Sequence, residues 1–316
     1  MKKNADGTVD FVLFSTVMLL VAIGIVMVFS ASSYTAGHSK SFNYDYMYFF
    51  KRQFLWAIIG FICMILISKF DYNKLKKLTL PLIIITVLLL VVVFGFEGIN
   101  GATRWIRVGG IMSIQPSEVA KYVVVLYMAK SMEKKGKKIK NFFFGVIPYL
   151  LVAAFFAGLV LAEHNLSIAV VIVLVTIIMI FAAGANIWHL LALVPPLAAL
   201  GVFFIKTQSY RMNRVTGFLH PFADPQKTGF QLVQSLLALG SGGILGVGLG
   251  KSRQKCYYLP EPHNDFIFSV IGEELGLIGC IIIILLFFIL IWRGIRISVR
   301  AKNTYGTLLA VRIISM

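Results

Sequence analysis

The sequence predicts an all-α polytopic transmembrane helical bundle, on three grounds. Of its 316 residues, 59% are hydrophobic, and its mean hydropathy is +0.86, well above a soluble domain with roughly 45–50% apolar content. The apolar residues fall in runs close to the ~20 residues that a helix needs to cross ~30 Å of hydrocarbon. These runs also lack the alternation of barrel strands, so helices are what satisfies their backbone groups in lipid.

In order, the runs lie at 11–32, 54–70, 78–96, 117–132, 143–161, 166–184, 188–205 and 266–292. The expectation is about eight complete spans and a partial ninth beginning near Thr304, all in a single membrane domain over 1–316. The first run, preceded by Lys2 and Lys3, imitates a secretory signal but exceeds the usual h-region of about 7–15 residues, so it reads as a retained span.

The formal net charge of +17 would suit nucleic acid, but its distribution does not. Lys69, Lys74, Lys76 and Lys77, the lysines between 134 and 140, and Arg293, Arg296, Arg300 and Lys302 occupy alternate inter-span segments. This positive-inside pattern places the N-terminus in the cytoplasm and 33–53, 97–116 and 206–265 outside. The outer segments nevertheless hold Arg104, Arg107, Lys206, Arg211, Arg214, Lys227, Lys251, Arg253 and Lys255. Such an excess fits an anionic ligand, although long outer loops also escape the charge rule. Cys63 and Cys280 fall within spans and Cys256 stands alone outside, so no disulfide framework follows.

The outer segment 206–265 is rich in Gly and Pro and too polar to be a span. Within it, Gly229 to Leu239 reads as a short interfacial helix with Phe230, Leu232, Val233, Leu236 and Leu237 on its apolar side. The run from Gly240 to Ser252 ends in Gly-Lys-Ser, but a phosphate loop requires glycine at 245, which is leucine, after a strand that is not predicted. These glycines then serve tight turns or a close backbone approach, a lipid headgroup included, or else plain loop flexibility.

Leu259-Pro-Glu-Pro-His-Asn-Asp265 runs from this segment into the last complete span. A carboxylate at the membrane boundary, Asp265, with His263 two residues away, is placed for acid/base chemistry on a lipid-linked substrate. Glu273 and Glu274 lie two turns inside that span. Glu273 is near the face of Asp265, and either lines the same cavity or pairs with a neighbouring helix. Before the fourth span, Arg104 and Trp105 lead to Gln115-Pro-Ser-Glu-Val-Ala-Lys121. There Pro116 suits a first helical position, and Glu118 and Lys121 form an i, i+3 pair in the first turns. Trp105 serves equally as an interfacial anchor. Glu163, His164 and Asn165 add polar groups on the outer side. Five scattered histidines make no zinc site.

The runs LPEPHNDFIFSVIGEELG, NGATRWI with QPSEVAK, and SASS at Ser30 to Ser33 resemble the SEDS family of bacterial cell-wall polymerases, which serve division, elongation and sporulation. The resemblance covers essentially the whole chain and implies a multi-pass protein of the cytoplasmic membrane. Its implied activity is a peptidoglycan glycosyltransferase joining lipid II units at the outer membrane face, with Asp265 essential and Arg104, Trp105 and Lys121 important. Arg211, Arg214, Lys251, Glu261, His263, Glu118 and Glu273 complete the candidate substrate contacts. It also implies a class B penicillin-binding protein as partner, other division or sporulation membrane proteins, and a divalent cation for which the sequence offers no ligand set. Two further C-terminal helices expected of the family are absent before Met316, and Glu-His-Asn-Leu-Ser at 163–167 replaces Gln-Pro-Asp-Leu-Gly. The rival readings are a lipid II flippase and a non-catalytic division scaffold or inactive fragment.

Overall fold

A computed structural model describes residues 9–96, 103–108, 112–207, 209–256 and 258–315. Lys2, Lys3, Asn100, Gly101, Ala102, Gly109 and Gly110, on which parts of the sequence reading fall, lie outside them. The helices are α1 (Phe11–Gly37), α2 (Tyr48–Ser68), α3 (Leu75–Val92), α4 (Pro116–Lys135), α5 (Ile147–Ala162), α6 (Leu166–Ala182), α7 (Ile187–Lys206), α8 (Ser209–Leu219), α9 (Phe230–Gly242), α10 (Ile267–Val299) and α11 (Thr304–Ser315). A short antiparallel hairpin precedes α4, with β1 (Ile106–Val108) paired to β2 (Met112–Ile114) so that Arg107 faces Ser113. The sequence reading contained no strand.

Six helical segments among the described residues are long and apolar enough to cross a membrane: Phe11–Gly37, Tyr48–Ser68, Tyr72–Gly95, Phe142–Ala162, Ile187–Lys206 and Ile267–Val299. The protein is thus an all-α polytopic membrane bundle. The predicted runs at 117–132 and 166–184 are also helical, as α4 and the 17-residue α6. α1 continues past the predicted end at 32. Its polar tail is accommodated because Ser32 Oγ donates to the Val28 carbonyl at 2.6 Å, and the Ser30 hydroxyl has a buried acceptor described below.

The chain packs as two compact units, and the division falls within α7 and α10. In the unit of Met1–Phe70 and Ala199–Trp292, Met27 and Ala31 of α1 pack with Leu259 and with Val270, Ile271 and Ile283 of α10. α2 buries none of its residues. An apolar helix exposed all round is suited to hydrocarbon rather than water.

In this unit α9 lies at the place of the predicted interfacial helix, and its protein-facing side is set by small residues. Leu236 and Leu237 are exposed, whereas Val233, Ser235, Ala238 and Gly242 are buried. The reason is close packing on α10. Ser235 and Ser269 share a 2.6 Å hydrogen bond, and a Cβ at Gly242 would run into the Gly272 carbonyl.

In the unit of Asp71–Ala198 and Arg293–Met316, the buried stripe Ala120, Val124, Met128 and Met132 recurs every four residues along α4. That spacing keeps one helical face inward. It meets Tyr149, Ala153 and Phe156 of α5, Ile172, Val175 and Met179 of α6, and Tyr305 and Leu308 of α11.

Candidate active site

Helix α10 is interrupted at Gly276, whose φ of 68° and ψ of −166° no other residue type adopts readily. The break frees backbone groups, and the glycine run takes them up. Val247 and Gly248 N–H donate to the carbonyls of Glu273 and Glu274 at 2.9 and 3.0 Å, while Leu277 and Ile278 N–H donate to Gly243 and Ile244 at 2.9 and 3.3 Å. Gly246, at φ 81°, comes so near that a Cβ would strike the Glu274 carbonyl. Of the uses expected for the glycines, tight turning and close approach hold, and what they approach is the backbone of α10.

The two glutamate side chains clamp the segment that follows. Glu273, 2% exposed, accepts from Arg253 N–H at 2.8 Å, from Gln254 N–H at 3.4 Å and from the Ser252 hydroxyl. Successive backbone N–H groups around a carboxylate form an anion nest. Glu274, 1% exposed, accepts from Ser30 Oγ at 2.8 and 2.6 Å, Ser252 N–H at 3.3 Å and Lys255 Nζ at 2.7 Å. Lys255 also donates to the Gly250 carbonyl at 2.8 Å. Lys255, grouped in the sequence with the outer cations, is therefore an internal counter-ion. Both carboxylates are costly to bury alone and are stabilised by full hydrogen bonding.

From this clamp the chain leads to Asp265. Leu259 is anchored by burial and by donating to the Gln254 carbonyl at 2.8 Å. Glu261 adopts a left-handed φ of 48° and accepts from Asn264 at 3.0 Å. His263 packs its ring 4.2 Å from that of Phe49, with Nε2 3.7 Å from Glu261. Burial pushes the His263 pKa down, against the pull of Glu261, so the imidazole is held neutral. Asp265 itself is exposed, two residues before α10 begins, and none of the ion pairs found among the described residues involves it.

Beside the clamp, an open cleft of about 700 Å³ has apolar walls from Val26, Phe29 and Leu249, with Tyr34, Lys251 and Cys256 also lining it. Lys251 is exposed. Arg211 of α8 donates to the Phe204 carbonyl at 2.9 Å and to the Tyr210 hydroxyl at 3.0 Å, while Arg214 is exposed.

The other unit carries a second polar cluster. Pro116 opens α4, and Lys121 pairs with Glu118 at 2.8 Å as the i, i+3 spacing required. Trp105 is 41% exposed. Arg104 Nε donates to the Glu163 carbonyl at 3.4 Å and Nη2 donates to the His164 carbonyl. Asn165 caps α6 by accepting from Ile168 N–H at 3.4 Å. Glu163, read from sequence as one of three polar residues on the outer side, is fully buried, and neither carboxylate oxygen makes a hydrogen bond of good geometry among the described residues. Burial pushes its pKa up to about 7, and Ser117 and Arg104 pull the other way.

Sequence reasoning missed Glu274, Lys255, Ser30 and Glu163 as structural partners. Only the cost of a carboxylate inside a span signalled the first. Among the described residues no three His, Cys, Asp or Glu groups converge.

The family of cell cycle proteins comprising FtsW, RodA and SpoVE has a model that matches residues 10–316. The chain is similar to the probable peptidoglycan glycosyltransferase FtsW of Geobacter sp. (strain M18), at 44% identity over 309 residues, covering 96% of this chain and 83% of that one. It is also similar to stage V sporulation protein E of Bacillus subtilis (strain 168), at 42% identity over 313 residues, covering 97% and 84%. Its fold resembles a chain of a peptidoglycan synthase complex solved for its structural coordination of polymerization and crosslinking, with a TM-score of 0.73, 25% identity and 97% and 83% coverage. The chain is a polytopic membrane protein that belongs to the FtsW/RodA/SpoVE family.

Proposed function

We propose that this chain is a peptidoglycan glycosyltransferase that polymerises lipid II at the outer face of the bacterial cytoplasmic membrane, with Asp265 as general base. The observation that carries the reading is an exposed carboxylate at the mouth of a membrane-length helix, on a loop that two buried glutamates hold in place. The names of its relatives point the same way. In this reading α4 and α6 join the six long helices as spans, the N-terminus is cytoplasmic, 206–265 lies outside, and the bundle acts as one membrane domain.

Asp265 takes the proton of the acceptor hydroxyl as that oxygen bonds to the donor anomeric carbon, and the pyrophosphate leaves with the electron pair of the broken bond. One base acting directly on the acceptor gives inversion at that carbon. In the unit that holds Asp265, the side chains of Arg211, Arg214 and Lys251 supply positive charge for the pyrophosphate; in the other unit Arg104 and Lys121 supply it for a lipid-linked pyrophosphate, and the exposed Trp105 ring offers a face to a sugar. Glu118 orients Lys121, and Glu261 and His263 shape the loop that presents Asp265. Glu273, a candidate substrate contact by sequence, is assigned instead to holding that loop. The cleft beside Lys251 combines apolar walls with a cation, as a prenyl chain with an anionic head requires. A class B penicillin-binding protein and other division or sporulation membrane proteins are the partners.

The test supplies fluorescent lipid II to the purified protein in detergent, with and without a class B penicillin-binding protein, and compares it with Asp265→Asn. Glycan strands from the wild type alone are expected. Equal polymer from both would remove Asp265 from the chemistry. Headgroup movement across liposomes without polymer would favour a flippase.

A further inference from the structure

Glu163 is an anomaly that the proposed reaction leaves unused. Its side chain is sealed from solvent, and neither carboxylate oxygen makes a hydrogen bond of good geometry among the described residues, although the Ser117 hydroxyl lies close enough to act on it; burial with so little compensation disfavours charge. It sits in the turn between α5 and α6, where His164 is forced to a left-handed φ of 60°. That turn aims the carbonyls of Glu163 and His164 at one guanidinium, that of Arg104.

Backbone carbonyls fix Arg104 without neutralising it, so its charge stays available to an anion. An ionised Glu163 would be a stronger partner than either carbonyl. We propose that Glu163 is a positioning residue for Arg104: as a neutral acid it leaves the guanidinium on the turn carbonyls and free to meet an anionic phosphate ligand, and on ionising it captures Arg104 as an ion pair. This rests on the reading that Arg104 binds the lipid-linked pyrophosphate.

The neighbours fit a single switchable pair. Arg104 is the charged group facing Glu163 from the segment before β1. α4 presents Ser117 and then Glu118, which is already paired with Lys121 at 2.8 Å. His164 and Asn165 flank Glu163 on its own turn, with Asn165 3.5 Å from Ser117 Oγ, and α6 has no acidic residue in its first turn. The pKa of about 7 puts the change within reach of ordinary pH.

The experiment measures KM for lipid II between pH 6 and 8.5 in the wild type, Glu163→Gln and Glu163→Ala, and records the infrared carboxylic-acid band of wild type and Glu163→Gln at pH 6. The wild-type KM should rise about tenfold by pH 8 relative to Glu163→Gln, whose profile lacks that limb, while kcat follows one curve in both. Glutamine preserves the shape, so a merely structural role would leave the two profiles parallel and overturn the proposal. A KM for Glu163→Ala that rises with pH like the wild type would overturn it as well. The infrared band should be present in the wild type and lost in Glu163→Gln. Its absence from the wild type sinks the inference even if polymer is made, whereas a band without polymer from any variant at any pH would indict the polymerase reading instead.

Discussion

Lys255 Nζ lies 2.7 Å from Glu274 Oε1, with 5% of the lysine side chain and none of the glutamate side chain exposed. Removing one partner leaves a buried charge unpaired, which typically costs about 3–5 kcal/mol. Glu274→Ala and Lys255→Ala should each lower the melting temperature in detergent sharply. The double variant Glu274→Gln with Lys255→Met should recover much of that loss, and a double variant as unstable as the singles would show that the pair is not the source.

The contact of Gly246 with α10 leaves no room for a side chain, and its φ of 81° strains any other residue. Gly246→Ala should destabilise by about 1–3 kcal/mol, whereas Gly240→Ala, with open space around it, should be nearly silent. Proteolysis of the 243–256 loop offers a direct readout, with faster cleavage in Gly246→Ala alone.

Asp265 is exposed, so its loss should separate chemistry from folding. Asp265→Asn should melt within about 0.5 kcal/mol of the wild type while glycan synthesis disappears. A large drop in melting temperature would recast the residue as structural.

Glu163 makes stability depend on pH with a definite sign. Burial raises its pKa from 4.5 to about 7, so the folded state holds a proton that the unfolded state releases. The contribution is complete below about pH 4.5 and is lost as pH rises through 7. Glu163→Gln should therefore match the wild type near pH 4.5 and exceed it by about 3 kcal/mol at pH 8. Melting curves that differ equally at both pH values would contradict this.

The sequence by itself determined the helical membrane class, the places of the long apolar helices, the Glu118–Lys121 pair and the loop that delivers Asp265. Each depends on local information: hydropathy over a bilayer's length, a proline at a helix start, a spacing of three residues. Tertiary structure alone decided that Glu274 meets a serine 244 positions away, that the glycine run stitches into the break at Gly276, and that Glu163 is sealed beneath Arg104. It also decided that α9 meets α10 through Val233, Ser235, Ala238 and Gly242. Such pairings carry no periodic signature, because they are chosen by which helices pack and by the need of each buried polar group for a partner.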